Sequence, residues 1–445
     1  MIEQRNFVCG FYGARDGYEV PVALNEAGLL EVLLTDFYGS GGLLAKSGLA
    51  RAVREHEKLP ADKVRGSLAL TLARRVCGKV FADPEQRNLW PDALLSGRIM
   101  REAERRNAHI FAYEPYAVPR PAGGFPDGRK QVVFYYHPHV DTEDAIYRED
   151  QRRFPEFHSE ERVTDSPWRR RTADAWKHAD LVICASSFTK RSLVAAGKEE
   201  ERIAVVPYGT SMERGAWSME REGDTALQLG ELTGRREARG GGHEAGGMRH
   251  TASGERQGPL RLLFVGRNPL RKGLHHLLMA WNAADKRPGD LLTIVCAAKP
   301  LETQRLVEGR NDVLWLDSVS AEELARLYGD SDALVVPSLC EGFGHVYLEA
   351  MGHGCAVVGT NNSALPDIGD ENQGVFTVGV GAVGELAQVI SRASADPFIF
   401  RNVGEVARQQ AGEFTWGKFH AVLMRWLTGL GRSYNSEVVA ETHNR

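Results

Sequence analysis

The chain has 445 residues, more than one hydrophobic core usually holds, so we expect two or three domains. Its 42% apolar and 26% charged residues are typical of a globular protein and exclude a disordered or fibrous chain. Lysine plus arginine (55) nearly balances aspartate plus glutamate (59), and the net charge of −4 provides no chain-wide positive field for nucleic acid, which is not expected as a partner.

The N-terminal segment and the cysteines indicate a reducing compartment. The first apolar run, Phe7–Phe11, is short and is followed by Arg15 and Asp16, which is not the pattern of a signal peptide. No apolar run reaches the length of about 18 residues that a membrane span needs, and the six cysteines are scattered without a Cys-x-x-Cys pair. We therefore expect a cytoplasmic protein with reduced thiols. Arginine-rich stretches at 49–54 and 98–106 leave two interpretations open, a peripheral contact with an anionic membrane or solvated helix faces.

The first part of the chain alternates apolar runs with helical patterns. The runs that predict strands are Phe7–Phe11, Leu30–Thr35, His109–Ala112, Val132–Tyr136, Leu181–Ala185 and Ile203–Val206. Continuous apolar strands separated by helices are typical of a parallel sheet that is covered on both faces. We therefore expect a doubly wound α/β domain at 1–211, with its ligands at the carboxyl ends of the strands.

Residues 212–258 form a different kind of segment. They are rich in glycine, arginine and glutamate and poor in aliphatic side chains, and they include the glycine-rich run Arg239–Gly247. Such a segment cannot bury enough apolar surface to offset the entropy cost of ordering it. The composition predicts a flexible insertion between two domains, with a partner-binding segment as the alternative.

From residue 259 onward the alternation is clearer. The predicted strands are Arg261–Gly266, Leu291–Ala297, Val313–Leu316, Ala333–Val336 and Ala356–Gly359. Helical patterns lie between them, and Ser320 is a natural N-cap for the helix predicted at Ala321–Tyr328. We therefore expect a second doubly wound, Rossmann-like α/β domain at 259–412 that faces the first across a cleft. The polar residues 433–445 are expected to fray.

Two glutamates follow the fourth predicted strand of the second domain. Glu341 is expected in the loop and Glu349 about two turns into the helix, so that both carboxylates face one ligand over the strand ends. Gly342 and Gly344 let such a ligand approach the backbone, and the amides from Phe343 onward, at the positive end of a helix, suit a phosphate. The alternative is a pair of surface glutamates on an amphipathic helix.

A cationic loop follows the first predicted strand of the same domain. That strand ends at Gly266, the loop carries Arg267, Arg271 and Lys272, and a helix begins near Gly273. Arginine offers a bidentate contact and lysine a point charge to a diphosphate. We expect Arg267 and Lys272 to bind such a group and Arg271 to be solvated.

Taken in order, these segments resemble a known family. The strings G-R-x(4)-K-G, V-S-A-E-E-L, V-P-S-x-x-E-G-F-G-x(4)-E-A-M-x-x-G and L-P-D resemble the donor-binding domain of the family 4 (group 1) retaining glycosyltransferases, which have the GT-B fold. The resemblance spans 259–389. More loosely, Ile183–Arg191 and Arg202–Gly209 resemble the last strands of the acceptor domain. Phe414–Trp416 resembles the start of the C-terminal helix that crosses back in that fold, which implies a crossover helix at 413–432.

The resemblance implies a role for each motif residue. Glu349 would hold the ribose hydroxyls of the donor, and Glu341 would lie near the donor sugar beside the backbone of Gly342–Gly344. Arg267 and Lys272 would bind the diphosphate and stabilise the leaving group in place of a metal ion. We therefore expect no cofactor and no metal, with a nucleoside-diphosphate sugar as the donor substrate.

On the acceptor side, the family has a glycine-rich loop after its first strand. Gly10–Gly17, which includes Gly13, can play that part, and Gly39–Gly42 is a looser candidate. The family also places a histidine at the end of an acceptor-domain strand. His137 and His139 follow the predicted strand that ends at Tyr136.

A second position competes for that histidine. Tyr113-Glu114-Pro115 resembles the family's histidine-glutamate-proline motif with tyrosine in place of histidine. We favour His137 because imidazole titrates near neutrality and can bond sugar hydroxyls, and the choice among His137, His139 and Tyr113 stays open.

Three further features bear on the resemblance. Asp330-Ser-Asp332 ends a predicted helix before a buried strand, which favours a helix-end turn over a metal site. Ala298-Lys-Pro300 stands where the family has a glycine pair, which puts recognition of the base in doubt. Pro207-Tyr-Gly-Thr-Ser211 stands where the family has Pro-Asn-Gly-Val-Asp, next to the insertion.

The expected activity is transfer of a sugar, with retention at the anomeric carbon, to an unidentified glycan, lipid-linked or small-molecule acceptor. The catalytic candidates are His137, His139, Glu341, Arg267 and Lys272. The main alternative is a catalytically degenerate protein that senses nucleotide sugars or serves as an assembly subunit. A sugar-nucleotide epimerase or a phosphorylase is less well supported, and a dehydrogenase lacks the G-x-G-x-x-G turn after a strand.

Overall fold

A computed structural model of the chain describes residues 5–39, 56–81, 83–121, 123–158, 166–210 and 258–430. These residues form two fully parallel sheets with helices around them, which confirms the predicted α/β fold class of two doubly wound domains. Several predicted features lie outside the described residues: the insertion at 212–258 except its last residue, the tail at 433–445, the stretch at 49–54 and most of the loop at 39–42.

The N-terminal sheet has seven parallel strands in the order β3-β2-β1-β4-β5-β6-β7. The strands are β1 Phe7–Gly10, β2 Leu30–Leu34, β3 Val64–Arg65, β4 His109–Tyr113, β5 Gln131–Tyr135, β6 Leu181–Cys184 and β7 Ile203–Val205. Almost every strand side chain is buried, which explains why the strands read as continuous apolar runs. Chain order reverses between β1 and β4, so the loops after these two strands diverge and leave a crevice.

Helices cover both faces of this sheet. They are α1 Glu19–Glu26, α2 Leu68–Val80, α3 Pro84–Arg106, α4 Val140–Arg153, α5 Pro167–Ala173 and α6 Ser187–Ala195. Serine side chains cap three of them, because the hydroxyls of Ser67, Ser166 and Ser186 each accept a hydrogen bond from an amide of the first turn.

The C-terminal sheet repeats this order with six parallel strands, β10-β9-β8-β11-β12-β13. The strands are β8 Arg261–Val265, β9 Leu291–Val295, β10 Val313–Leu316, β11 Ala333–Val336, β12 Ala356–Thr360 and β13 Val375–Val378. Its helices are α7 Leu274–Ala283, α8 Leu301–Arg305, α9 Ala321–Asp330, α10 His345–Gly352, α11 Leu365–Ile368, α12 Val383–Ala395, α13 Phe398–Arg401 and α14 Gly404–Gly412. The reversal falls between β8 and β11, the two strands that carry the predicted donor-binding loops.

The predicted strands are all present, with ends within two residues of those expected. Two strands were not predicted: β3, whose two residues are too few to show a pattern, and β13, whose apolar run is interrupted by the exposed Thr377. Asp330 ends α9, and the Asp332 carboxylate accepts from the Arg401 guanidinium at 2.8 Å, in keeping with the predicted helix-end turn. All six cysteines are free thiols, as predicted.

The last described helix, α15 Trp416–Thr428, returns to the N-terminal domain, as the resemblance implies. Its His420 Nε2 lies 2.9 Å from the Glu19 carboxylate on α1. Just before the helix, the amide of Thr210 donates to the carbonyl of Phe414 at 2.8 Å. Within the described ranges, no helix combines the length and apolar character that crossing a bilayer requires.

The crossing of the two chain segments at Gly209 generates a stability prediction. A Cβ at Gly209 would lie 2.3 Å from the Trp416 amide nitrogen, and backbone cannot move aside as a flexible side chain can. Gly209→Ala is therefore expected to lower the free energy of unfolding by at least about 2 kcal/mol, measured by urea unfolding. The matched control is Gly384→Ala inside α12, where a Cβ meets nothing within 4 Å and a gain of about 0.5–1 kcal/mol is expected. Equal effects at the two glycines would contradict this account.

Candidate functional site

The two predicted donor-binding loops meet at the point where the C-terminal strand order reverses. The loop after β8 and the loop after β11 are in backbone contact, because the amide of Leu339 donates to the carbonyl of Arg271 at 2.8 Å. Gly273 allows the approach, since a Cβ there would lie 1.9 Å from the carbonyl oxygen of Pro337. The strand ends thus bring Arg267, Lys272 and Glu341 to one edge of the sheet.

Glu341 lies between two cations. Its Oε1 is 2.9 Å from an Arg271 guanidinium nitrogen, and its Oε2 is 2.5 Å from Lys272 Nζ. Glu341 and Lys272 are 6% and 8% exposed, so water screens this triad little. Burial by itself raises the pKa of Glu341, but Arg271 and Lys272 outweigh it and hold that pKa at about 2.

The prediction for Arg271 was wrong. It was expected to be a solvated loop residue, but its side chain is 19% exposed and pairs with Glu341. The sequence could not show this, because the carboxylate that pairs with Arg271 lies 70 positions away along the chain. Arg267 lies at the start of the same loop and is half-buried.

Gly342 brings this loop against the N-terminal domain. A Cβ at Gly342 would lie 1.7 Å from the carbonyl oxygen of Tyr136 and 3.3 Å from the Cα of His137. His137 follows β5, is half-buried, and helps to lower the pKa of Glu341. The structure therefore brings together His137 and Glu341, two of the predicted catalytic residues, across the domain boundary.

His139 is engaged differently from His137. It is buried and caps α4, because its Nδ1 accepts from the Asp141 amide at 3.3 Å. Its Nε2 lies 3.1 Å from the carbonyl oxygen of Ala173. Both ring nitrogens therefore have partners in the N-terminal domain, and the structure does not bring His139 to the triad of Arg271, Lys272 and Glu341.

The second glutamate of the motif lies on α10. Gly344 starts this helix with a φ of 93°, and no side chain caps its first turn. Glu349 is 8% exposed, and its Oε2 accepts from the Tyr328 hydroxyl at 3.0 Å. Phe343 is buried against Tyr208 of the N-terminal domain, with ring centroids 5.4 Å apart.

The N-terminal domain contributes polar groups from its own point of strand reversal. In the loop after β1, the Gly13 amide donates to the Asp36 carboxylate at 3.0 Å. Asp16 adopts the left-handed region at φ 46° and accepts a short hydrogen bond from the Tyr113 hydroxyl, at the end of β4. Because Tyr113 is fully buried, its hydrogen bond to Asp16 anchors this strained loop to the core of the domain.

Sequence reasoning missed two titratable residues of this cluster. The guanidinium of Arg15 lies 4.2 Å from the ring centroid of Tyr136. Glu114 is 3% exposed, and burial raises its pKa to about 8, so it holds a proton at neutral pH. The signal for Glu114 was present, since it follows Tyr113 in the segment that resembles the family's histidine-glutamate-proline motif.

Comparisons with known proteins agree with this geometry. The family model described as glycosyl transferases group 1 matches residues 259–396, and the model described as glycosyltransferase family 4 matches residues 52–214. A mannosyltransferase of Mycolicibacterium hassiacum, named MMP alpha-(1->4)-mannosyltransferase, is 32% identical over 151 residues. That alignment covers 33% of this chain and 37% of the relative, so the chain matches well under two thirds of the relative's length.

Solved structures match over almost the whole chain. Sucrose-phosphate synthase from Thermosynechococcus elongatus superposes with a TM-score of 0.63 at 16% identity, covering 96% of this chain and 99% of the other. HepE of Anabaena, solved with UDP and glucose, gives a TM-score of 0.58 at 16% identity and covers 96% and 100%. At these identities the likeness shows the fold alone, which is the predicted pair of Rossmann-like domains.

The buried triad predicts how stability depends on pH. Because the pKa of Glu341 is about 2 in the fold and about 4.3 in an unfolded chain, its charge stabilises the fold above pH 4.3. That contribution is lost as pH falls toward 2. Glu341→Gln should lower the free energy of unfolding by about 2–4 kcal/mol at pH 7, because it leaves Lys272 and the partly buried Arg271 without their anionic partner. The difference in unfolding free energy between the variant and the unsubstituted protein should decrease between pH 5 and 3.

Urea unfolding across this pH range measures the effect. Glu308→Gln, at an exposed glutamate, is the matched control and should change stability by less than about 0.5 kcal/mol at every pH. If Glu341→Gln lowers the unfolding free energy by the same amount at pH 7 and at pH 3, the charged pairing described for Glu341 is ruled out.

Proposed function

We propose that this chain, which belongs to the group 1 glycosyltransferases, transfers a sugar from a nucleoside-diphosphate donor to an acceptor hydroxyl. One observation carries the proposal. Two cations and a carboxylate, Arg271, Lys272 and Glu341, meet at the reversal point of the donor-side sheet and face the N-terminal domain through Gly342. Ligands of doubly wound sheets bind at such points.

The side chains at this edge match the diphosphate and the ribose of the donor. Lys272 and Arg267, with Arg271 beside them, would hold the diphosphate, and the uncapped start of α10 would add amide donors. Glu349, buried near the strand ends, would accept hydrogen bonds from the ribose hydroxyls. The structural neighbour solved with UDP supports a nucleotide donor of this class, while the base and the sugar stay open.

The proposed reaction proceeds with retention and without a protein nucleophile. The bond between the anomeric carbon and the diphosphate oxygen breaks, and the acceptor oxygen bonds to the same face of the sugar. The acceptor proton passes to the leaving phosphate. Lys272 and Arg267 would stabilise the negative charge that develops on that phosphate.

His137 and Glu341 would position the donor sugar. They approach from opposite domains, and Gly342 leaves no room for a side chain between its own backbone and that of Tyr136. Close apposition of the two domains would exclude water, which otherwise hydrolyses the donor. The imidazole of His137 could hydrogen-bond a sugar hydroxyl.

The acceptor is a hydroxyl compound bound by the N-terminal domain, whether glycan, lipid-linked or small. A cytoplasmic location remains part of the proposal, and for the arginine-rich stretches solvated helix faces are favoured over peripheral membrane contact. A catalytically degenerate nucleotide-sugar sensor with the same donor residues is the alternative, and measured turnover separates it from a transferase. Transfer is favoured over epimerisation or phosphorolysis because the motif residues occur together in the family's order, as Arg267, Lys272, Glu341 and Glu349.

Donor binding predicts a selective thermal shift. Each of UDP-, GDP- and ADP-sugars is titrated while unfolding is followed by fluorescence, and one nucleotide class should raise the melting temperature. A donor at about 100 times its Kd adds about 2.7 kcal/mol to stability, because it binds the folded state alone. Lys272→Ala should abolish the shift, whereas Lys418→Ala, at an exposed lysine of α15 that pairs with Glu413, should retain it. If no nucleotide shifts the unsubstituted protein, the donor assignment fails.

Turnover of the identified donor tests the catalytic roles. Lys272→Ala should lower kcat for transfer or donor hydrolysis by about 100-fold or more, because charge stabilisation of the leaving group is lost. Glu341→Ala should lower kcat by a similar factor, because the donor sugar is no longer positioned. Lys418→Ala is again the control and should keep normal turnover. NMR of the anomeric proton in the product reports retention. Unchanged turnover in either variant refutes the proposed site, and donor binding without turnover in the unsubstituted protein favours the sensor.

A further inference from the structure

A second buried cluster joins the two domains beside the donor loop. Asp150 lies near the end of α4, and His158 follows it in the N-terminal domain. His275 and His276 form the first turn of α7, directly after the cationic loop. The Asp150 Oδ2 atom is 2.8 Å from His158 Nε2 and 3.0 Å from His275 Nε2, and its Oδ1 is 2.7 Å from His276 Nε2.

Hydrogen bonding accounts for only part of this arrangement. His158 and His275 each make a hydrogen bond to Asp150 Oδ2. Neither ring nitrogen of His276 makes a hydrogen bond, although its side chain is 2% exposed and its Nε2 lies against the Asp150 carboxylate. The Nδ1 of His275 also lacks a partner. Buried polar atoms that lack partners cost free energy, so the cluster is not a self-sufficient hydrogen-bond network.

The cluster contains no lysine or arginine. The Asp150 carboxylate is 3% exposed, and among the described residues no lysine or arginine pairs with it. A divalent cation would supply the counter-charge that a buried carboxylate needs, and imidazole nitrogens would bind it on the other side.

We propose that Asp150, His275 and His276 form a binding site for a zinc-type divalent transition-metal ion, with His158 hydrogen-bonded to the Asp150 carboxylate beside it. Imidazole nitrogen and carboxylate oxygen are ligands that zinc prefers. Tetrahedral bonds of about 2.0–2.1 Å put donor atoms about 3.3 Å apart, and the Asp150 oxygens lie 3.0 Å from His275 Nε2 and 2.7 Å from His276 Nε2, close to that spacing. The ligand atoms of Asp150, His275 and His276 all lie within 4.8 Å of one another.

The surroundings are suited to a structural ion. Phe154 and Phe157 pack around the histidines, with ring centroids 4.8 Å from His276 and 5.1 Å from His275, respectively. Because the ligands come from both domains and α7 begins next to Lys272, the ion would clamp the domains beside the donor loop. It would take no part in bond breaking, so the assignment is independent of the proposed reaction.

The test uses the full chain, expressed without a histidine tag and stripped of metal with a chelator. Zn²⁺ is titrated with the metal content and the melting temperature as readouts, and Co²⁺ replaces it to report coordination by visible absorption. One Zn²⁺ per chain, a higher melting temperature and tetrahedral Co²⁺ bands are expected. His275→Gln, His276→Gln and Asp150→Asn should each weaken Zn²⁺ binding by at least about 100-fold.

His109→Gln is the matched control, because its partly buried imidazole accepts from the Lys130 amide away from the cluster, and it should bind Zn²⁺ normally. A folded chain that takes up no Zn²⁺ and gives no Co²⁺ bands would overturn the proposal. So would Zn²⁺ affinity that is unchanged in the His275→Gln and His276→Gln double variant. If the variants fail to fold, the Co²⁺ spectrum of the unsubstituted chain decides.

Discussion

The approach of Gly342 to the carbonyl oxygen of Tyr136 sets how the two domains face each other at the donor edge. A side chain at position 342 would overlap that oxygen, so the loop after β11 meets the end of β5 backbone to backbone. Glu341 and His137, neighbours of these two residues, are thereby carried into one region. The absence of a Cβ at this one position thus allows the strand ends of separate sheets to approach each other.

Electrostatics at this edge follow from burial. A carboxylate that is 6% exposed stays ionised only because Arg271 and Lys272 outweigh its desolvation. The same cations suit a diphosphate, so Glu341 and a donor would share them. Glu114 shows the opposite balance, since it is buried without a paired cation at hydrogen-bond distance among the described residues, and its pKa rises to about 8.

Three joints hold the domains together besides the contact at Gly342. Tyr208 lies in the segment 207–211 that departs from the family pattern, and it packs against Phe343 and Trp416. Helix α15 returns to α1 through His420 and Glu19. The cluster around Asp150 forms the third joint, and with an ion bound it would be the one with the most directional bonds.

The sequence alone determined all the strands except β3 and β13, the order of the loops and the chemistry of each loop, because buried parallel strands are continuous apolar runs and their carboxyl-end loops are local in sequence. It therefore indicated Lys272, Glu341 and the glycines of the turns. Only the tertiary structure decided the partners: that Arg271 pairs with Glu341, that His139 caps a helix, and that Asp150 meets His275 and His276. These contacts depend on how separate helices and loops pack against one another. The pattern of residues within one segment does not show which residue from a distant part of the chain will contact it.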